Sequence, residues 1–150
     1  MFIEIVGRSV KTPSCVVEKA AEFYGEYLLH KRLSDYINLT IEFEKFPRGS
    51  NDYAYCDYIG DNHKPKDFII TVERRLCKRE TLLALAHEMT HLAQYAKGEL
   101  KDLFRPVRMT KWKGEKFDAE TVDYWSAPWE REARGMEMEL YVKFCESQKE

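Results

Sequence analysis

The chain has 150 residues, 44% hydrophobic and 33% charged, with a net charge of −2. Those values fit an ordinary soluble globular protein, expected to form one domain over residues 1–150 with room for one core. They exclude a general electrostatic pull toward nucleic acid or anionic membranes. No stretch has the apolar length of a membrane helix.

The N-terminus, MFIEIVGRSV, carries Glu4 and Arg8 where a secretory signal needs an unbroken apolar run, so a cytoplasmic location is expected. Thr12 and Pro13 open the first helix, as N-cap and first turn. Val17, Ala20, Ala21, Tyr24, Tyr27 and Leu28 repeat at helical spacing, and the helix is expected to end near Arg32. Three strand-like runs follow, at 37–46, 52–60 and 67–75. Ile37, Leu39, Ile41 and Phe43 alternate in the first, and Phe68, Ile70 and Val72 in the third. Turn residues separate the runs, which predicts a small, mainly antiparallel sheet. A helix is expected from Lys78 to Lys97, stopped by Gly98, then a hairpin over 105–118 around Lys113-Gly114, and a last helix opened by Pro128. The order helix, three strands, helix, hairpin, helix predicts an α+β domain. Cys15, Cys56, Cys77 and Cys145 are scattered with no C-x-x-C pair, which excludes a zinc ribbon and predicts reduced, mostly buried thiols.

The helix over 82–100, LLALAHEMTHLAQYAKGEL, carries His87-Glu88-Met89-Thr90-His91. Residues four apart share one helix face, so two imidazoles can meet one ion at about 2.0–2.1 Å. Glu88, one step round, reaches the attacking water rather than the metal and is the expected general base. The flanking Leu and Ala residues predict a largely buried helix, where two histidines and a glutamate are costly without partners. Gln94 and Lys97 stand where a metzincin has Gly and His, and no histidine follows His91. His30 and His63 lie upstream. A downstream third ligand is therefore a carboxylate. In PWEREARGMEMEL the apolar stripe runs through Trp129, Ala133, Met136 and Leu140, with Glu130 and Glu137 along one edge and Glu132 along the other. Glu130 is the choice for third ligand, helped by the small Ala133 one turn on, and Glu132 is the reserve. The plain alternative is a solvated Glu130/Arg134 pair.

H-E-x-x-H on one helix with E-x-x-A on a later one resembles the minimal gluzincins. The segments LLALAHEMTHLAQYAKGEL, KWKGEKF and YWSAPWEREA are also similar to small bacteriophage metallopeptidases often called SprT-like, over roughly residues 37 to 140. The resemblance implies a zincin-like zinc peptidase with His87, His91 and Glu130 as zinc ligands, Glu88 as base, and a peptide or protein substrate. Two departures stand out: there is no C-x-x-C ribbon, and no later histidine to steady an oxyanion. Tyr124 is the candidate for that work, with Tyr95 and Arg134 behind it, and Gln94 is a candidate partner of His91. Arg105, Arg108, Lys111, Lys113 and Lys116 around Trp112 and Phe117 allow a nucleic-acid patch, a solvated strand face with the aromatics in the core, or an edge that holds a peptide. The rival functions are a catalytically silent zinc module that binds a protein partner, and an SprT-like DNA-associated protease.

Overall fold

The computed structural model describes residues 1–103, 108–118 and 121–149. In chain order the elements are β1 (Phe2–Val6), α1 (Ser14–Leu28), α2 (Lys31–Ser34), β2 (Asn38–Glu44), β3 (Ala54–Tyr58), β4 (Asp67–Glu73), α3 (Lys78–Ala96), β5 (Leu100–Leu103), β6 (Met109–Trp112), β7 (Glu115–Asp118) and α4 (Pro128–Ser147). The fold is α+β, as composition and patterning predict, but its main sheet is not mainly antiparallel.

That sheet has the order β1-β2-β4-β3. β1 pairs parallel to β2, β2 parallel to β4, and only β3 runs antiparallel, along β4. The correction has two causes. The α1–α2 crossover returns the chain in the same direction beside β1, a strand that the N-terminal pattern does not single out. The segment 45–53 then carries the chain past the position of β4 instead of turning tightly, so β3 lands on the edge and β4 fills the gap. The alternation itself holds: Ile37, Leu39, Ile41, Phe43, Phe68, Ile70 and Val72 are all buried in one core.

Helix α1 buries Val17, Ala20, Ala21 and Tyr24, while Tyr27 is exposed. The expected helix to Arg32 is two helices. Leu29 is extended, and His30 begins α2 by accepting a hydrogen bond from the Leu33 N–H at Nδ1 (3.2 Å). Thr12 is not the cap: Pro13 takes that position without a side-chain bond, and Thr12 is buried with its Oγ1 unpartnered among the described residues. The four cysteines are free but less buried than expected, Cys15 being exposed and the others half-buried.

Helix α3 is the centre of the molecule. It touches α1, β3, β4, β5 and α4. Leu82, Leu85, Met89 and Leu92 pack it into the core, and the Tyr24 hydroxyl donates to the Leu82 carbonyl at 3.1 Å. Truncating one such leucine to alanine costs about 2–5 kcal/mol. Gly98, at φ +77°, ends the helix in the left-handed conformation that glycine adopts freely. β6 and β7 form the expected hairpin, with Lys113 (φ 46°) and Gly114 (φ 89°) both left-handed, and β5 adds a third antiparallel strand. Arg105 lies outside the described residues. Helix α4, with Pro128 in its first turn, packs against α3 through the fully buried Ala133 and Leu140.

Candidate metal centre

The long, apolar α3 brings His87 and His91 to one face because they are one turn apart, and their ring centroids lie 5.0 Å from each other. α4 runs alongside and directs Glu130 between them. Glu130 Oε2 is 3.1 Å from His87 Nε2, and Oε1 is 2.9 Å from His91 Nε2. The three side chains are nearly enclosed, at 14%, 10% and 10% exposure. Their ligand atoms all lie within 4.8 Å of one another. Two ligands about 2.0–2.1 Å from one tetrahedral ion stand about 3.4 Å apart, so this His-His-Glu group can hold a metal ion.

Each imidazole is oriented from behind. His87 Nδ1 lies 2.8 Å from Glu137 Oε2, and His91 Nδ1 lies 2.8 Å from Gln94 Oε1. The Gln94 amide cannot be turned round. Its Nε2 donates to the Trp129 carbonyl (3.0 Å) and to Glu132 Oε1 (3.1 Å), both acceptors. Its oxygen must therefore face His91, so His91 carries its proton on Nδ1. The Nε2 lone pair of the neutral ring is thereby left for a metal. Glu137 fixes His87 the same way. Replacing Gln94 with leucine is expected to lower metal affinity about 10–100-fold while leaving the fold intact, measured by competition with a chromogenic chelator. An unchanged affinity would show that Gln94 orients nothing.

The electrostatics follow from this packing. Burial lowers the His87 pKa, but hydrogen bonds to Glu130 and Glu137 and the charges of Glu88 and Glu130 outweigh it, raising it from 6.5 to about 9. For His91, too, burial is outweighed by Glu130, and the shift is upward. Burial alone would raise Glu130, yet its bonds to the two imidazoles hold it far below the usual carboxylate range. A histidine with a raised pKa stabilises the fold fully below its unfolded value and loses that contribution as pH rises through the folded one. In chelator, the His87 contribution should therefore be complete below pH 6.5 and lost through about pH 9. A metal must displace these protons, so its apparent affinity should climb over the same range. Thermal melts and metal titrations across that window check both signs.

Glu88 is 8% exposed and its carboxylate has no hydrogen-bond partner among the described residues. Burial raises its pKa above the ordinary value, against the charges of His91 and His87. It lines a cleft of about 370 Å³ with His87, Glu137 and Tyr124. Asn51, Asp52, Tyr53 and Ala54 line the same cleft, at the start of the edge strand. Tyr124 is exposed, and its pKa is pushed up to about 12 by partial burial and by the charge of, and a hydrogen bond to, Glu130.

The other candidates go elsewhere. Glu132 hydrogen-bonds Gln94 and lies 3.8 Å from Lys113 Nζ. Arg134 stacks over Trp125 and donates to its carbonyl, leaving no pair with Glu130. Tyr95 packs on Tyr58 at 5.0 Å, near the charge of Asp102 and outside the cleft. His63 is exposed. Glu137 is the partner that the sequence pattern does not assign, although it stands seven residues after Glu130, two turns along the same helix edge. The cleft wall at 51–54 had no motif to find it by. No family model, curated protein or solved structure matches the chain.

Proposed function

We propose that the chain is a zinc-dependent peptidase of minimal gluzincin type, in which His87, His91 and Glu130 hold the ion and Glu88 is the general base. One observation carries this reading: a buried carboxylate with no hydrogen-bond partner among the described residues adjoins a preorganised His-His-Glu group beside a cleft. A site that only stores metal has no use for Glu88 there. Imidazole and carboxylate donors suit zinc, and three protein ligands match the open form of catalytic sites rather than the closed form of structural ones. Zinc, when bound, supplies a Lewis acid that acidifies a water and polarises a carbonyl. Glu88 then takes the proton of the attacking water at its carboxylate and delivers it to the leaving amine, with the raised pKa bringing donor and acceptor strengths closer. Tyr124, which lines the same cleft and feels the charge of Glu130, is the candidate donor to the developing oxyanion.

A peptide has a place to lie. Glu73 N–H donates to the Tyr53 carbonyl and Ile59 N–H to the Asp67 carbonyl, so residues 53, 55, 57 and 59 face β4. Ala54, Cys56 and Tyr58 therefore turn their backbone groups to the open edge of the sheet. An extended substrate can add there as a further strand. This reading seats the peptide on β3 rather than on the 105–118 hairpin, where a peptide edge was one of three alternatives. The DNA-associated reading loses its platform as well: Trp112 is buried, and Trp112 and Phe117 pack on Trp129 at 6.4 and 5.6 Å. Among the described residues no helix is long and apolar enough to cross a membrane. Purified protein is expected to carry about one zinc per chain and to melt at lower temperature in chelator. Zinc-free protein whose melting chelator does not change would end the zinc reading.

A further inference from the structure

The cleft beside the metal triad has an uneven chemistry. Its floor includes Leu83 and Ala84, and its rim carries the exposed carboxylates of Asp52 and Glu80. Neither carboxylate forms an ion pair among the described residues, and no lysine or arginine among them lines the cleft. The buried Glu88, without a hydrogen-bond partner among the described residues, opens into the same space. Tyr53 and Tyr124, both exposed, add aromatic faces to the walls. An apolar floor below an anionic, aromatic rim suits a side chain with a long aliphatic stem and a cationic head. An acidic side chain would meet like charge at that rim.

Resting on the peptidase reading, we infer that this cleft selects peptides carrying a lysine or arginine beside the scissile bond, with the stem on Leu83 and Ala84 and the head at the rim formed by Asp52 and Glu80. The two rim carboxylates make the specificity, and Glu88 remains the base.

The test uses blocked peptides of repeated Ala-Lys-Leu, Ala-Gln-Leu and Ala-Glu-Leu triplets, so that one register or another presents the variable side chain to the cleft. Binding is measured calorimetrically to zinc-loaded Glu88→Gln protein at low salt. The lysine peptide is expected to bind about tenfold tighter than the glutamine peptide, the sum of two half-exposed ion pairs. The glutamate peptide should be weakest, and the differences should shrink with salt. The advantage of lysine should vanish when Asp52→Asn and Glu80→Gln are added. It should survive the charge-matched control Glu4→Gln with Glu18→Gln, both on exposed positions away from the cleft. Equal affinities, no binding by any peptide, or an advantage lost equally in the control overturns the inference. Wild-type protein is then assayed for cleavage of the same peptides. Selective binding without cleavage leaves the selectivity standing and sinks the peptidase reading, whereas cleavage of all three at equal rates sinks the selectivity and keeps the peptidase.

Discussion

Glu88→Gln is expected to abolish peptide hydrolysis while leaving zinc content and melting temperature close to those of the wild type. The amide is nearly isosteric with the carboxylate, and the side chain makes no hydrogen bond among the described residues that the change could break. Burial already disfavours the charged form, so a neutral replacement removes a strained charge rather than a supporting one. What disappears is the ability to accept a proton from water near neutral pH. General-base catalysis contributes about 10²–10⁴-fold, so activity should fall below a standard peptide assay. Metal analysis and a melt on the same sample separate the outcomes. Loss of zinc would make Glu88 a ligand. Cleavage at the wild-type rate with zinc retained would move the base to another group.

The second large effect concerns Glu130. Glu130→Ala should reduce zinc affinity by more than the 10–100-fold that a supporting partner costs, because it removes one of the three proposed ligands. Glu132→Ala should cost far less, since Glu132 reaches the site only through Gln94. Without metal, Glu130→Ala also separates two enclosed imidazoles from the carboxylate they share, so their proton affinities should drop toward the ordinary histidine range. Titrating the imidazole resonances by NMR in chelator reads this directly. Equal zinc content in wild type and Glu130→Ala, with loss in Glu132→Ala, would assign the third ligand to the other edge of α4.

Much of the site was legible in one dimension because helical spacing fixes neighbours rigidly. His87 and His91 must share a face, Glu88 must lie one step round, and Gln94 must follow His91 by one turn. All four face the cleft or its backing because a single helix carries them. The edge of α4 that carries Glu130 was also readable, since its apolar stripe had to meet the core. Those statements depend only on local periodicity. So does the β6–β7 turn, where Lys113-Gly114 needs two left-handed residues.

Sheet order was not legible, because alternation tells which face of a strand is buried and nothing about which strand lies beside it. Runs joined by turn residues read as hairpins, yet the α1–α2 crossover laid β2 parallel to β1, and the 45–53 segment put β3 on the rim and left β4 as the parallel neighbour of β2. That choice supplies the open backbone edge and brings Asp52 and Tyr53 to the cleft. The partner of His87 was hidden for a similar reason: whether Glu137 meets an imidazole or solvent depends on the axial register of two helices joined through a long connection. The sequence alone therefore determined the helix that carries the candidate metal site and the face it presents. Tertiary packing decided which carboxylates close on that face, and which strand edge lies open beside it, because those contacts are set by distances between elements that local spacing does not encode.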